Sequence, residues 1–114
     1  MPGWTTVRSQ KFAAPDVDAN WLDQHTSQGP SALRLRVHEH ARAATGSTLA
    51  ETLAVAAQAA LAQVLSHPGD RSAALDLLAA DALITLALLA QAETAPQDLE
   101  HFAASVLLAT RSDA

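Results

Sequence analysis

The chain contains no cysteine and no tyrosine, and only one methionine among its 114 residues. Without cysteine there are no disulfides, no thiolate metal sites and no cysteine nucleophile. Aromatic residues make up 4% of the chain, and β-branched residues are sparse. That scarcity argues against a sheet-based core, which draws on both kinds of side chain. No glycine-rich loop is present to cradle a phosphate, and GxSxG, HExxH, ExxE and DDxxD are all missing. There is no excess of positive charge either. The formal net charge is -5, so an electrostatic footprint for nucleic acid is lacking. The opening MPGWTTVRSQ lacks the apolar stretch of a secretory signal.

What the chain does have is alanine and leucine. Apolar residues are 49% of the total, mostly of these two strong helix formers, enough for one domain with a modest core. The composition predicts an all-α protein: a small bundle of about four helices, with an irregular, aromatic-bearing N-terminal arm. The Ala/Leu bias also fits a bacterial protein, and the absence of cysteine fits a soluble, cytoplasmic one.

Residues 1–30 form the arm. They hold three prolines, two glycines, both tryptophans (Trp4 and Trp21) and Phe12. A short helix is expected at Pro15–Gln24, where Pro15 suits a first turn, Asp16 and Asp18 complement the dipole, and Val17 and Trp21 make an i,i+4 pair. An arm with this much aromatic surface is expected to pack on its own bundle or to clasp a protein partner.

Residues 31–114 form the bundle. In RLRVHEHARAATG, Arg34–Gly46, the run from Leu33 to His40 alternates as a strand would. It also fits a helix with Leu33, Val37, Ala41 and Ala44 on one stripe, begun after Pro30 and ended at Gly46. The helix is the favoured reading, because a lone strand would have nothing to pair with. A second helix is expected from Leu49 to Ser66, opened by a capping box of Thr48 and Glu51 and closed by His67-Pro68-Gly69. A third runs from Asp70 or Arg71 to Ala92, with Asp70 as its cap. A fourth runs from Thr94-Ala95-Pro96 to Thr110, with Leu99, Phe102, Ala103, Val106 and Thr110 as its stripe. No internal repeat and no sustained heptad occur.

The third helix has leucines all round it: Leu75, Leu77, Leu78, Leu83, Leu86, Leu88 and Leu89. A helix apolar on every side calls for burial on every side. Three or four helices can hardly surround it, which predicts a homo-oligomer, most simply a two-fold dimer. Its run Ala73–Ala92 contains Asp76, Asp81, Thr85 and Gln91, so it is not read as a membrane span.

Charge is uneven along the chain. Residues 1–46 carry five basic and four acidic groups, residues 47–114 two and eight. The acidic part is expected to attract the basic segment Arg34–Arg42, within the chain or across a dimer.

His38 and His40 invite a metal or acid–base reading. On a helix, however, residues i and i+2 project about 200° apart and cannot share one ion. They are expected instead on a solvated face, with Arg36–Glu39 and Glu39–Arg42 pairs and His38 near Arg34 and Arg42. Asp81 and Thr85 sit mid-helix in LAADALITLALLA, nearly half a turn round from Asp76. One polar stripe cannot expose both aspartates well. The favoured reading puts Asp81 and Thr85 on the thin solvent stripe, and the alternative is a buried carboxylate paired with one of the available cations, Arg34, Arg36 or Arg42. Candidate binding residues are therefore Asp81, Thr85, His38, His40, Trp4 and Trp21. No catalytic residue, metal or cofactor is expected.

The segment HEHARAATGSTLAETLAVAA, His38 to Ala57, resembles part of the alkylhydroperoxidase D and carboxymuconolactone decarboxylase superfamily. There a histidine-bearing helix, a glycine and an Ala-rich helix follow the active-site cysteines. The likeness covers about 20 residues of this chain. The chain has no cysteine, so the CxxC peroxidase chemistry the likeness implies cannot run here. It also continues for 57 residues beyond the matched segment, where that family would be nearly finished, and it is not assigned to the family.

The favoured role is non-enzymatic, in interaction or assembly as a homo-oligomer. The rival is a small-molecule- or metal-binding bundle, possibly an enzyme, with a leucine-lined pocket. Its polar groups would come from at least three of His38, His40, Asp76, Asp81 and His101.

Overall fold

A computed structural model describes residues 15–67 and 69–112, with side chains described for 19–67 and 69–109. Among the described residues five α-helices follow one another: α1 (Pro15–Thr26), α2 (Ser31–Ala43), α3 (Leu49–Ser66), α4 (Arg71–Thr94) and α5 (Leu99–Ser112). A single 3₁₀ turn, Pro96–Asp98, joins α4 to α5. No strand occurs among the described residues, so the alternating run Leu33–His40 is helical. Trp4 and Phe12 lie outside the described residues, as does the Val17 side chain of the expected Val17–Trp21 pair.

The helix starts follow from local chemistry. At α3, the Thr48 hydroxyl accepts from the Glu51 amide at 3.1 Å. The return bond of the expected capping box lands one residue earlier than the cap. Glu51 Oε1 accepts from the Ser47 amide at 2.8 Å and the Ser47 hydroxyl at 2.9 Å. At α4, Asp70 accepts from the Ala73 amide at 2.8 Å, as a capping aspartate should. The turn before it contains Gly69 at φ 92, a left-handed conformation that favours glycine.

Gly46 has a different role from the expected helix terminator. α2 ends at Ala43, and Ala44 is already extended. Gly46 is needed instead for close approach, since a Cβ there would lie 2.7 Å from the Thr52 backbone nitrogen. The α4–α5 junction also differs from expectation. α4 continues two residues past Ala92, and the residues after Pro96 make a tight 3₁₀ turn before α5 begins.

The centre of the fold is the antiparallel α3–α4 hairpin, the most extensive helix pair in the chain. Its seam is built from alanine. Ala56, Ala60, Ala79 and Ala87 are each 0% exposed, and side chains this small let two backbones approach closely. Leu53, Leu83 and Val37 are the largest fully buried side chains. Val37 brings α2 across both helices of the hairpin, and Leu22 brings α1 onto the same core. α5 leans on the hairpin through Phe102 and Val106, which are only partly buried. Of its expected stripe, Ala103 is exposed. By length and composition, α3 and α4 are apolar enough to cross a membrane. In this fold 33% of the α3 span and 44% of the α4 span are buried.

α4 is not enclosed on every side. Leu83 and Leu86 are buried, but Leu77 is 51% exposed and Leu78 56%.

Candidate functional site

The most organised polar feature is a buried ion cluster between α2 and α4. Asp76 is 5% exposed and is the one buried charged residue among those described. It shares the inward stripe of α4 with Ala73, Ala79, Ala80 and Leu83, at steps of three and four residues. Arg36 and His40 stand one turn apart on α2 and project from the same side. Both reach the same oxygen. Arg36 Nη1 donates to Asp76 Oδ1 at 2.7 Å, and His40 Nε2 donates to it at 2.9 Å. The guanidinium is steadied further by Ser72 Oγ, 3.4 Å from Nη1, and by Glu39 Oε1, 3.3 Å from Nε.

Burial alone would push the Asp76 carboxyl up. The hydrogen bonds from His40 and Arg36, with the positive charge they bring, outweigh that and hold it below its usual range. The sign of the pH dependence follows. A carboxyl depressed in the folded state contributes stability that is fully present above its unfolded value of 3.8. That contribution is lost as pH falls through the lower folded value. We expect Asp76→Asn to flatten the acid limb of a stability-against-pH curve below about pH 4. An acid limb unchanged by Asp76→Asn in urea titrations would contradict the assignment.

The candidate residues fall in separate places. His38 and His40 diverge as their spacing requires: His38 Nε2 lies 3.4 Å from Thr26 Oγ1, while His40 faces Asp76. The expected Arg36–Glu39 pair is present, but Arg34 turns to Asp23, at 3.9 Å. Asp81 and Thr85 are both exposed, and the Thr85 hydroxyl donates to the Asp81 carbonyl at 2.9 Å. Asp76, not Asp81, is the buried member of the pair. Trp21 is half-buried. Its Nε1 donates to Glu93 Oε1 at 3.0 Å, and its ring stacks on His25 at 4.0 Å, so α1 is tied to the C-terminal end of α4. Trp4 lies outside the described residues.

Of His38, His40, Asp76, Asp81 and His101, only His40 and Asp76 are in contact. Among the described residues, no three histidine or carboxylate side chains are grouped to hold a metal ion. The second feature is an open groove between α3 and α4, with a volume of about 490 Å³. Leu61, Leu77, Leu78 and Ile84 line it, with Gln58 and Asp81 as its polar groups.

Fold and site together define an all-helical chain with a structural ion cluster inside and an apolar face outside. No family model matches this chain, and no curated protein or solved structure matches it either.

Proposed function

We propose that this chain is a non-enzymatic interaction module that works as a homo-oligomer, most simply a two-fold dimer, joined through the open face of α4. The observation that carries this reading is the pair Leu77 and Leu78. Both are more than half exposed at the edge of an apolar groove, where a monomer gains nothing from leucine. The ion cluster serves the same role indirectly. It locks α2 onto the inner face of α4 and leaves the outer face as the surface on offer. The remaining contact of this reading is a protein partner reached through the N-terminal arm. The acidic balance favours neither nucleic acid nor, with Asp76 and Asp81 within α4, a membrane. The composition suits the cytoplasm.

Size-exclusion chromatography with light scattering, run over a concentration series, tests it. The expected mass at micromolar concentration is twice the 11.9 kDa of one chain, with a melting temperature that rises with concentration. Leu78→Glu should return the mass to that of a monomer. A wild-type monomer throughout would overturn the reading.

The groove supports a second reading, in which the α3–α4 cleft holds a small apolar ligand against Leu61 and Ile84. In that case an apolar fluorescent probe would bind the wild-type chain with one-to-one stoichiometry, and Ile84→Glu would abolish its binding.

A further inference from the structure

Along the open face of α4, Arg71, Ala74, Leu78 and Asp81 follow at steps of three, four and three residues. All four are exposed. That is the seam spacing of paired helices, although here exposure and not an apolar heptad picks it out. Arg71 and Asp81 are of opposite sign and lie about 15 Å apart along the helix. Among the described residues neither has an ionic partner. Between them stand a large side chain, Leu78, and a small one, Ala74.

We infer that a second copy of this chain seats its α4 antiparallel against this face, with Arg71 of each copy paired to Asp81 of the other. This rests on the self-association proposed above and specifies its register. The argument is that one register satisfies two separate complementarities. In an antiparallel pair, setting Arg71 opposite the second copy's Asp81 also sets Leu78 opposite the second copy's Ala74. Charge meets opposite charge twice, and the large side chain meets the small one twice, as an isologous interface requires. A parallel pairing would set Arg71 against Arg71 and Asp81 against Asp81, with repulsion at both ends. The partner is therefore a second copy with reversed helix direction. The two-fold axis passes level with Asp76, so the ion cluster lies directly behind the seam.

Charge reversal in the full-length chain tests this. Arg71→Asp alone and Asp81→Arg alone should each raise the dimer dissociation constant about tenfold, since each converts two attractive pairs into repulsive ones. The combined variant, Arg71→Asp with Asp81→Arg, should restore wild-type association. Both sites are on the surface, and circular dichroism would check that helix content is unchanged. Because the chain has no cysteine, crosslinking gives an independent reading of register. A mixture of the Ala74→Cys and Leu78→Cys variants should form the mixed disulfide in preference to either homodisulfide. A dimer indifferent to charge reversal, or one whose double variant is not rescued, overturns the register and leaves self-association standing. A wild-type monomer at all concentrations overturns both.

Discussion

Arg36→Met should destabilise the chain by about 3 kcal/mol, measured as a shift in the urea midpoint with unchanged slope. The reason is what it leaves behind. Asp76 is 5% exposed, and removing its guanidinium partner strands a carboxylate in the interior, which costs about 3–5 kcal/mol. The lower end applies because His40 still donates to the same oxygen at 2.9 Å. Against a stability of roughly 6–17 kcal/mol for a chain of this length, that is a large fraction. The same physics predicts an asymmetry. Replacing Arg36, His40 and Asp76 together by methionine or leucine should cost far less than Arg36→Met alone, because no group is then left buried without a partner. A single variant as mild as the triple one would mean that Asp76 is solvated and the cluster carries no weight.

Leu83→Ala should cost about 3 kcal/mol, within the 2–5 kcal/mol usual for truncating a buried leucine. Leu83 is 0% exposed, on the inward stripe of α4. Of its neighbours along that stripe, Ala79, Ala80 and Ala87 have no side-chain freedom with which to fill the space, and only Leu86 has any. The control is Leu78→Ala, on the same helix but 56% exposed. In a monomer that change should fall within about 0.5 kcal/mol. Its effect belongs to association instead, and should show as a weaker dimer rather than a weaker fold. Equal destabilisation by the two substitutions at a concentration where the chain is monomeric would contradict the burial pattern.

The α2–α4 cluster and the open α4 face are two sides of one helix, and their roles differ for an electrostatic reason. Asp76 points inward and takes the cations of α2. Asp81, five residues on, points outward and is left for whatever approaches. The general unevenness of charge, basic in the first part of the chain and acidic in the second, is resolved inside one chain at Asp76 and remains unresolved at Asp81.

Much of this architecture was legible in the sequence. The bounds of α3 could be read from Thr48 and Glu51 at one end and His67-Pro68-Gly69 at the other, because caps and breakers act over three or four residues. The divergence of His38 and His40 followed from helical spacing alone. The favoured sequence reading puts Asp81 and Thr85 on the solvent stripe, and both are exposed. A buried aspartate paired with an arginine of the Arg34–Arg42 segment is only the alternative, and it is Asp76 that fills it.

Which aspartate and which arginine was a tertiary matter. Asp76 and Asp81 stand in nearly the same local context of alanine and leucine, and α4 is apolar almost all round, so periodicity marks no inward face. The inward face is set by where α2 and α3 lie, and the α2 contacts with Asp76 join residues 36 and 40 positions apart. The one hint was the run Ala73, Ala79, Ala80 and Ala87, small residues that mark the side where another backbone comes close. The role of Gly46 was hidden for a more local reason, because its 2.7 Å approach to Thr52 depends on how the loop turns into the first turn of α3. Local chemistry determined where α3 starts and stops and where α4 starts. Only the packing of α2 across the α3–α4 hairpin decided which side of α4 became core and which was left open.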